Sequence, residues 1–161
     1  MKKILILFLI ISSATFGQKK LDKLLQSYNK NNVPYMYVDS LAKTEAILLD
    51  AREEKEYKTS HLKDAICVGF DNFDVQKTVN KLSEDKNAKI VVYCSLGIRS
   101  EIVAHQLIKE GYTNVYNLYG GIFEWKNADF QVIDTLGKST ENVHTFNKEW
   151  SKWLKKGKKV Y

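Results

Sequence analysis

The sequence predicts an α/β fold, a central parallel sheet with helices on both faces. Two runs carry that expectation, residues 46–50 (Ala-Ile-Leu-Leu-Asp) and 89–93 (Lys-Ile-Val-Val-Tyr). Apart from the carboxylate that ends the first and the lysine that opens the second, both are unbroken rather than alternating, as strands buried on both sides of a parallel sheet are. Between and after them the apolar spacing becomes helical, and strands alternating with helices imply βαβ units.

The elements follow in order. Residues 18–30 read as a short amphipathic helix with Leu21, Leu24, Leu25 and Tyr28 on one face, ended by Asn31 and Asn32. Pro34 opens an extended segment over 35–38, and Asp39 or Ser40 caps a short helical turn. After the strand at 46–50, the charged stretch 53–58 forms a short helix and 65–70 the next strand. A helix starts near Asp74 and runs through Val79 and Leu82, and a polar turn over 83–87 leads to the β-branched strand 89–93. Residues 100–110 are a helix with Ile102, Val103, Leu107 and Ile108 inward, stopped by Gly111. A strand at 114–118 precedes the Gly120-Gly121 turn and a short helix holding Phe123 and Trp125. Residues 145–156 are expected to form a final helix whose stripe, Phe146, Trp150, Trp153 and Leu154, packs on the domain rather than binding a ligand.

The chain of 161 residues is long enough for one ordinary domain. Lys2 and Lys3, the apolar run 4–11 and the small residues 12–17 have the layout of a secretory signal peptide cut before Gln18. The apolar run falls short of the roughly 20 residues a membrane-spanning helix needs, so cleavage is expected and a stable membrane anchor is not. The expected organisation is therefore a signal peptide over 1–17, an N-terminal helix and linker over 18–32, the domain over 33–130, and a C-terminal extension with helix and basic tail over 131–161. The expected location is the periplasm or the exterior.

Net charge is +6, and loss of Lys2 and Lys3 with no acid leaves +4. Much of the excess sits in Lys148, Lys152, Lys155, Lys156, Lys158 and Lys159, read as a solvated helix face with a basic tail. No nucleic-acid partner is expected. Two cysteines differ in setting. Cys67 lies in a strand-like apolar run, where a free thiol behaves as a small buried hydrophobe. Cys94 lies at a strand end before a glycine-containing loop.

That loop carries the chemistry. In a parallel sheet, ligands bind beyond the carboxyl ends of strands. A tight turn into a helix N-terminus aims several N–H groups inward and adds the positive end of the helix dipole. Cys94 stands at the rim of such a nest, where its pKa falls below the free value of about 8.5 and the attacking thiolate forms. Gly97 permits the turn, and Arg99 is placed to pair with an anionic substrate. The alternative is a buried structural Cys beside a surface Arg. His61, His105 and His144 have no partner at metal-ligand spacing, so no metal site and no cofactor are predicted.

Residues 94–100 (Cys-Ser-Leu-Gly-Ile-Arg-Ser) resemble the active-site loop of the rhodanese family, sulfurtransferases whose Cys carries a persulfide. Leu49-Asp50-Ala51-Arg52 with Glu53 and Glu56 resembles the family's first signature, and 111–122 followed by Trp125 resembles its closing strand, glycine pair and tryptophan. The family's Gly-His-Ile-Pro-Gly-Ala is here Ser60-His61-Leu62-Lys63-Asp64-Ala65, a changed turn. The resemblance implies a rhodanese-like α/β sandwich in which Cys94 takes a sulfane sulfur from a small anionic donor such as thiosulfate and passes it to a thiol or cyanide. It implies that the amides of Ser95, Leu96, Gly97, Ile98, Arg99 and Ser100 stabilise the persulfide, that Arg99 holds the donor, and that Asp50 and Arg52 brace the strand end. Two alternatives stand beside it: a non-catalytic binding module, and a phosphatase or arsenate reductase. The latter enzymes place one residue more between Cys and Arg than the four, Ser95 to Ile98, found here.

Overall fold

The computed structural model describes residues 18–30, 32–82 and 84–161. The expected signal peptide, residues 1–17, lies outside the described residues. Residues 18–30 and residues 32–161 fall into two compact units. In the first, residues 18–28 form a helix (α1). Among the described residues no helix is long and apolar enough to cross a membrane.

The second unit is built on a five-stranded sheet: β1 (Tyr35–Met36), β2 (Ile47–Asp50), β3 (Ile66–Cys67), β4 (Ile90–Tyr93) and β5 (Val115–Leu118). All strands are parallel, in the order β1-β5-β4-β2-β3. The connecting helices are α2 (Val38–Leu41), α3 (Glu54–Thr59), α4 (Val75–Val79), α5 (Arg99–Lys109) and α6 (Gly121–Asn127). This is the expected α/β architecture. β4 is central and all four of its residues are buried, which explains its unbroken β-branched and aromatic composition. Leu49, Ile90, Val92, Val103, Leu107 and Val115 form the core around it.

The topology places the site. From β2 the chain crosses through α3 to β3 on one side, whereas from β4 it crosses through α5 to β5 on the other. Neighbouring β2 and β4 therefore diverge at their carboxyl ends and open a crevice there. Residues 51–53 and 94–98 are the two loops that enter it.

Several expectations are corrected. α2 starts at Val38, one turn being closed by Ser40 and Leu41 amides donating to Tyr37 O, so Asp39 and Ser40 lie inside it. In α5 the buried residues are Ser100, Glu101, Val103, Ala104 and Leu107, while Ile102 and Ile108 are exposed. The small Ser100 and Ala104 hold the inward face, and the two isoleucines flank it. β3 is only two residues long, because the Phe70 and Asp71 amides turn away to donate to Glu53 Oε1, each at 3.0 Å. Cys67 in it is half-buried rather than buried. Asp64 adopts a left-handed φ of 62° where the related motif has glycine, a conformation Asp tolerates, so the turn survives its altered sequence.

The largest departure is C-terminal. No α-helix spans 145–156. Instead β6 (Val132–Ile133) pairs antiparallel with β7 (Ser139–Thr140), and β8 (Asn142–His144) pairs parallel with β9 (Lys158–Val160). Only a 3-10 turn, Trp150–Trp153, interrupts the β8–β9 connection. Phe146 takes φ 62°, which no helix accommodates, and Asn147 Oδ1 accepts the Trp150 amide at 3.0 Å to start the short turn. Lys158 and Lys159, expected in a basic tail, are exposed on a strand.

Candidate active site

Cys94 follows β4 directly and is almost fully buried. The Gly97 N–H donates to its Sγ at 3.1 Å, and Ser100 Oγ lies 3.5 Å away. Burial pushes the thiol pKa up. The Arg99 charge, Ser100 and the Gly97 amide pull it down and prevail, so Cys94 titrates below an ordinary cysteine. Cys67 behaves oppositely: burial and the nearby Asp50 carboxylate push its thiol up. The expected difference between the two thiols is present, and the sulfur at the head of α5 is the acidic one.

Two glycines permit the loop. Gly97 has φ 101°, and a Cβ there would meet Leu118 O at 3.1 Å. Gly121 has φ 55°, and a Cβ there would stand 2.2 Å from Cys94 O. In its absence the first amides of α6 reach the loop: Ile122 N–H donates to Cys94 O at 2.9 Å and Phe123 N–H to Ser95 O at 3.2 Å. Asn117, fully buried on β5, completes the support. Its Nδ2 donates to Gly97 O at 2.8 Å and its Oδ1 accepts from Ser100 Oγ at 2.7 Å. The loop is thus held from its own helix, from α6 and from β5.

Arg99 is engaged within the protein. Its guanidinium forms a fork with Glu56, Nη1 to Oε2 at 2.7 Å and Nη2 to Oε1 at 2.8 Å, and Nη2 also donates to Ser95 Oγ at 3.2 Å. Burial pushes the Glu56 carboxyl up, but Arg99 outweighs it and the carboxyl stays below its usual range. The expected partner of Arg99 was a substrate anion; the structure gives it a carboxylate on α3.

Asp50 and Arg52 sit at the end of β2, both fully buried. Arg52 Nη2 pairs with Asp50 Oδ2 at 2.6 Å and donates to Ser60 O at 2.7 Å, while Nε donates to Asp50 Oδ1 at 2.9 Å. They tie β2 to the segment after α3, a bracing arrangement.

The crevice over Cys94 is about 320 Å³. Leu96 and Ile98 line it, whereas Phe123 is wholly buried and takes no part in the lining. Phe70, Phe146 and Trp150 supply the remaining apolar wall, and Glu53 and Asp71 stand among its polar residues. Phe146 and Trp150, expected to pack as helix residues, instead border the site. Among the described residues no group of three or more His, Cys, Asp or Glu side chains is arranged to hold a metal ion.

Sequence reasoning did not assign Glu56, Asn117, Phe146 or Trp150 to the site. The Glu53-x-x-Glu56 spacing does register locally, as the capping box that starts α3, but the second task of Glu56 lies on a different element.

Comparison with known proteins agrees with this architecture. The family model described as Rhodanese-like domain matches residues 33–128. A tRNA uridine(34) hydroxylase from Hamiltonella defensa is 34% identical over 117 residues, 71% of this chain and 31% of that protein. Its namesake from Erwinia tasmaniensis is 40% identical over 83 residues, 50% of this chain and 24% of that protein. The chain thus spans about a third or less of these relatives. Among solved structures, a thiosulfate sulfurtransferase from Pseudomonas aeruginosa superimposes with TM-score 0.57 at 24% identity, covering 76% of this chain and 23% of that one. The rhodanese-like domain of an Anabaena protein does so with TM-score 0.56 at 20% identity, covering 64% and 80%. These structural likenesses concern the fold.

Proposed function

Because the chain belongs to the rhodanese-like domain family, we propose that it is a sulfurtransferase in which Cys94 carries a sulfane sulfur as a persulfide. The observation that carries this reading is the acidic Cys94 thiol, receiving the Gly97 N–H at the head of α5. The Cys94 thiolate attacks the outer sulfur of a small anionic donor such as thiosulfate. A Sγ–S bond forms, the donor S–S bond breaks, and its electron pair leaves with sulfite. The terminal sulfur of Cys94–S–S⁻ then lies in the loop, where backbone N–H groups and the helix dipole oppose its negative charge. A thiol or cyanide takes that sulfur and returns the thiolate.

Arg99 serves here chiefly by its field on the sulfur, since its fork is occupied by Glu56. The loop keeps both Cys94 and Arg99, which favours catalysis over a purely binding module, and its four-residue gap favours a sulfane sulfur over a tetrahedral oxyanion. The curated relatives are named for hydroxylation of a tRNA uridine, but the shared stretch is a minor part of their length, and we carry over only the sulfur-bearing module. We further propose export, with residues 1–17 removed as a signal peptide and no stable membrane anchor. Nucleic acid is not among the proposed partners.

Turnover of thiosulfate plus cyanide, run beside a phosphoester, tests the reading. Thiocyanate release is expected. Phosphate release without thiocyanate would replace it with the phosphatase alternative.

A further inference from the structure

Two residues of the apolar wall over Cys94 come from outside the part of the chain that matches the family. The family match ends at residue 128, whereas Phe146 and Trp150 belong to the β8–β9 connection. Their placement is specific. Phe146 holds a left-handed backbone, φ 62°, a strained state for a bulky residue that persists only where its surroundings over-determine it. Those surroundings are present. Just before it, Thr145 N–H and Oγ–H donate to Val160 O at 2.8 and 3.2 Å. The Phe146 N–H itself donates to His144 Nδ1 at 3.1 Å, and the ring lies against the Arg99 guanidinium with Cζ 5.2 Å from its centroid.

This strain gains little burial in return, because the side chain remains 52% exposed. A fold that strains a backbone and leaves the aromatic ring half in solvent derives no core from it. The ring instead extends an apolar wall made by Phe70, Leu96, Ile98 and Trp150. Cyanide would leave almost all of the 320 Å³ crevice unused. Charge points the same way: the cation in the lining, Arg99, already has its fork paired with the Glu56 carboxylate, and Asp71 adds a carboxylate to the lining.

We propose that the sulfur acceptor is an organic thiol with an apolar or aromatic, uncharged body, seated against Phe146 and Trp150. This rests on the sulfur-carrier reading of Cys94 and names its acceptor class. The acceptor sheds its thiol proton to solvent and attacks, as R–S⁻, the terminal sulfur of Cys94–S–S⁻. The R–S–S bond forms, the Sγ–S bond breaks, and its electron pair returns to Sγ, giving R–S–S⁻ and the Cys94 thiolate. The acceptor sulfur is oxidised as Cys94 is reduced, so no outside oxidant is required. Phe146 and Trp150 act as specificity-determining residues by removing apolar surface from water.

The test loads Cys94 with sulfur from thiosulfate, verifies the added sulfur by mass spectrometry, and then follows discharge to phenylmethanethiol, 2-mercaptoethanol and mercaptoacetate. The full-length protein is expected to favour phenylmethanethiol over 2-mercaptoethanol by about 10-fold or more in kcat/KM, with mercaptoacetate slowest. Phe146→Gly, which keeps the left-handed backbone and deletes the ring, should bring that ratio down several-fold, and Trp150→Ala should do so independently. Equal discharge to all three thiols, or a ratio unmoved by both substitutions, would overturn the inference while leaving the persulfide intact. Failure of Cys94 to gain sulfur would overturn the carrier reading and this one with it.

Discussion

The Arg99 guanidinium and the Glu56 carboxylate meet in a two-pronged fork, at 2.7 and 2.8 Å, joining the first turn of α5 to α3. The Arg99 member of the pair acts directly on the Cys94 thiol, and Glu56 bears on the sulfur through Arg99. Arg99 favours the thiolate, and the carboxylate paired with it offsets part of that charge.

Opposite shifts should follow from neutralising either member. Arg99→Gln removes the cation and should raise the Cys94 pKa; Glu56→Gln frees the cation from its partner and should lower it. The pH dependence of alkylation by iodoacetamide, followed on Cys94, reads both. A fall in both variants, or no change in either, would show that the pair does not set the thiol.

Asp50→Ala should destabilise the protein by roughly 3–5 kcal/mol, because it leaves the buried Arg52 guanidinium without its counter-charge. Urea unfolding at neutral pH measures this. A loss under about 1 kcal/mol would mean that water or another group replaces the carboxylate.

Gly121→Ala should cost about 2–4 kcal/mol and abolish sulfur transfer, since the new Cβ would occupy the space between α6 and Cys94 O, in a left-handed backbone. Thermal unfolding and thiocyanate release, measured on one preparation, check the two effects together. An active variant of native stability would remove α6 from the support of the loop.

These predictions also mark what was legible in the sequence. The run 89–93, Gly97 and the following helix disclose strand, loop and the position of Cys94 because their determinants are local: β-branching, a glycine at a positive φ and apolar periodicity. Asp50 is legible as the end of a buried strand. The fork between Glu56 and Arg99 is not, because its members lie 43 positions apart and only the βαβ crossovers bring them together. Ile102 and Ile108 mislead because strong hydrophobes outweigh the small Ser100 and Ala104 that face inward. The C-terminal stripe misleads because Phe146, Trp150, Trp153 and Leu154 do have helical spacing. What overrides it is tertiary: the β8–β9 pairing and the left-handed Phe146.

The β8–β9 unit should also respond to acid. His144 Nδ1 accepts the Phe146 N–H, so its ring proton sits on Nε2, which is buried with no hydrogen-bond partner among the described residues. Burial keeps the His144 pKa below its usual value. The folded state then binds fewer protons than the unfolded one. The stability contributed by neutral His144 is fully present above the unfolded value of about 6.5 and is lost as pH falls from there towards the folded pKa. Urea midpoints across this range should decline towards acid, and less steeply in His144→Leu. Identical slopes in the two proteins would exclude His144 as the source.

The most direct test of the sulfur-carrier account is the mass of the Cys94 peptide after exposure of the protein to thiosulfate, before and after cyanide. The account predicts a gain of one sulfur atom on Cys94 and not on Cys67, lost on cyanide with an equal amount of thiocyanate formed, and no gain in Cys94→Ser. An unchanged Cys94 mass, or sulfur found on Cys67 alone, would contradict it.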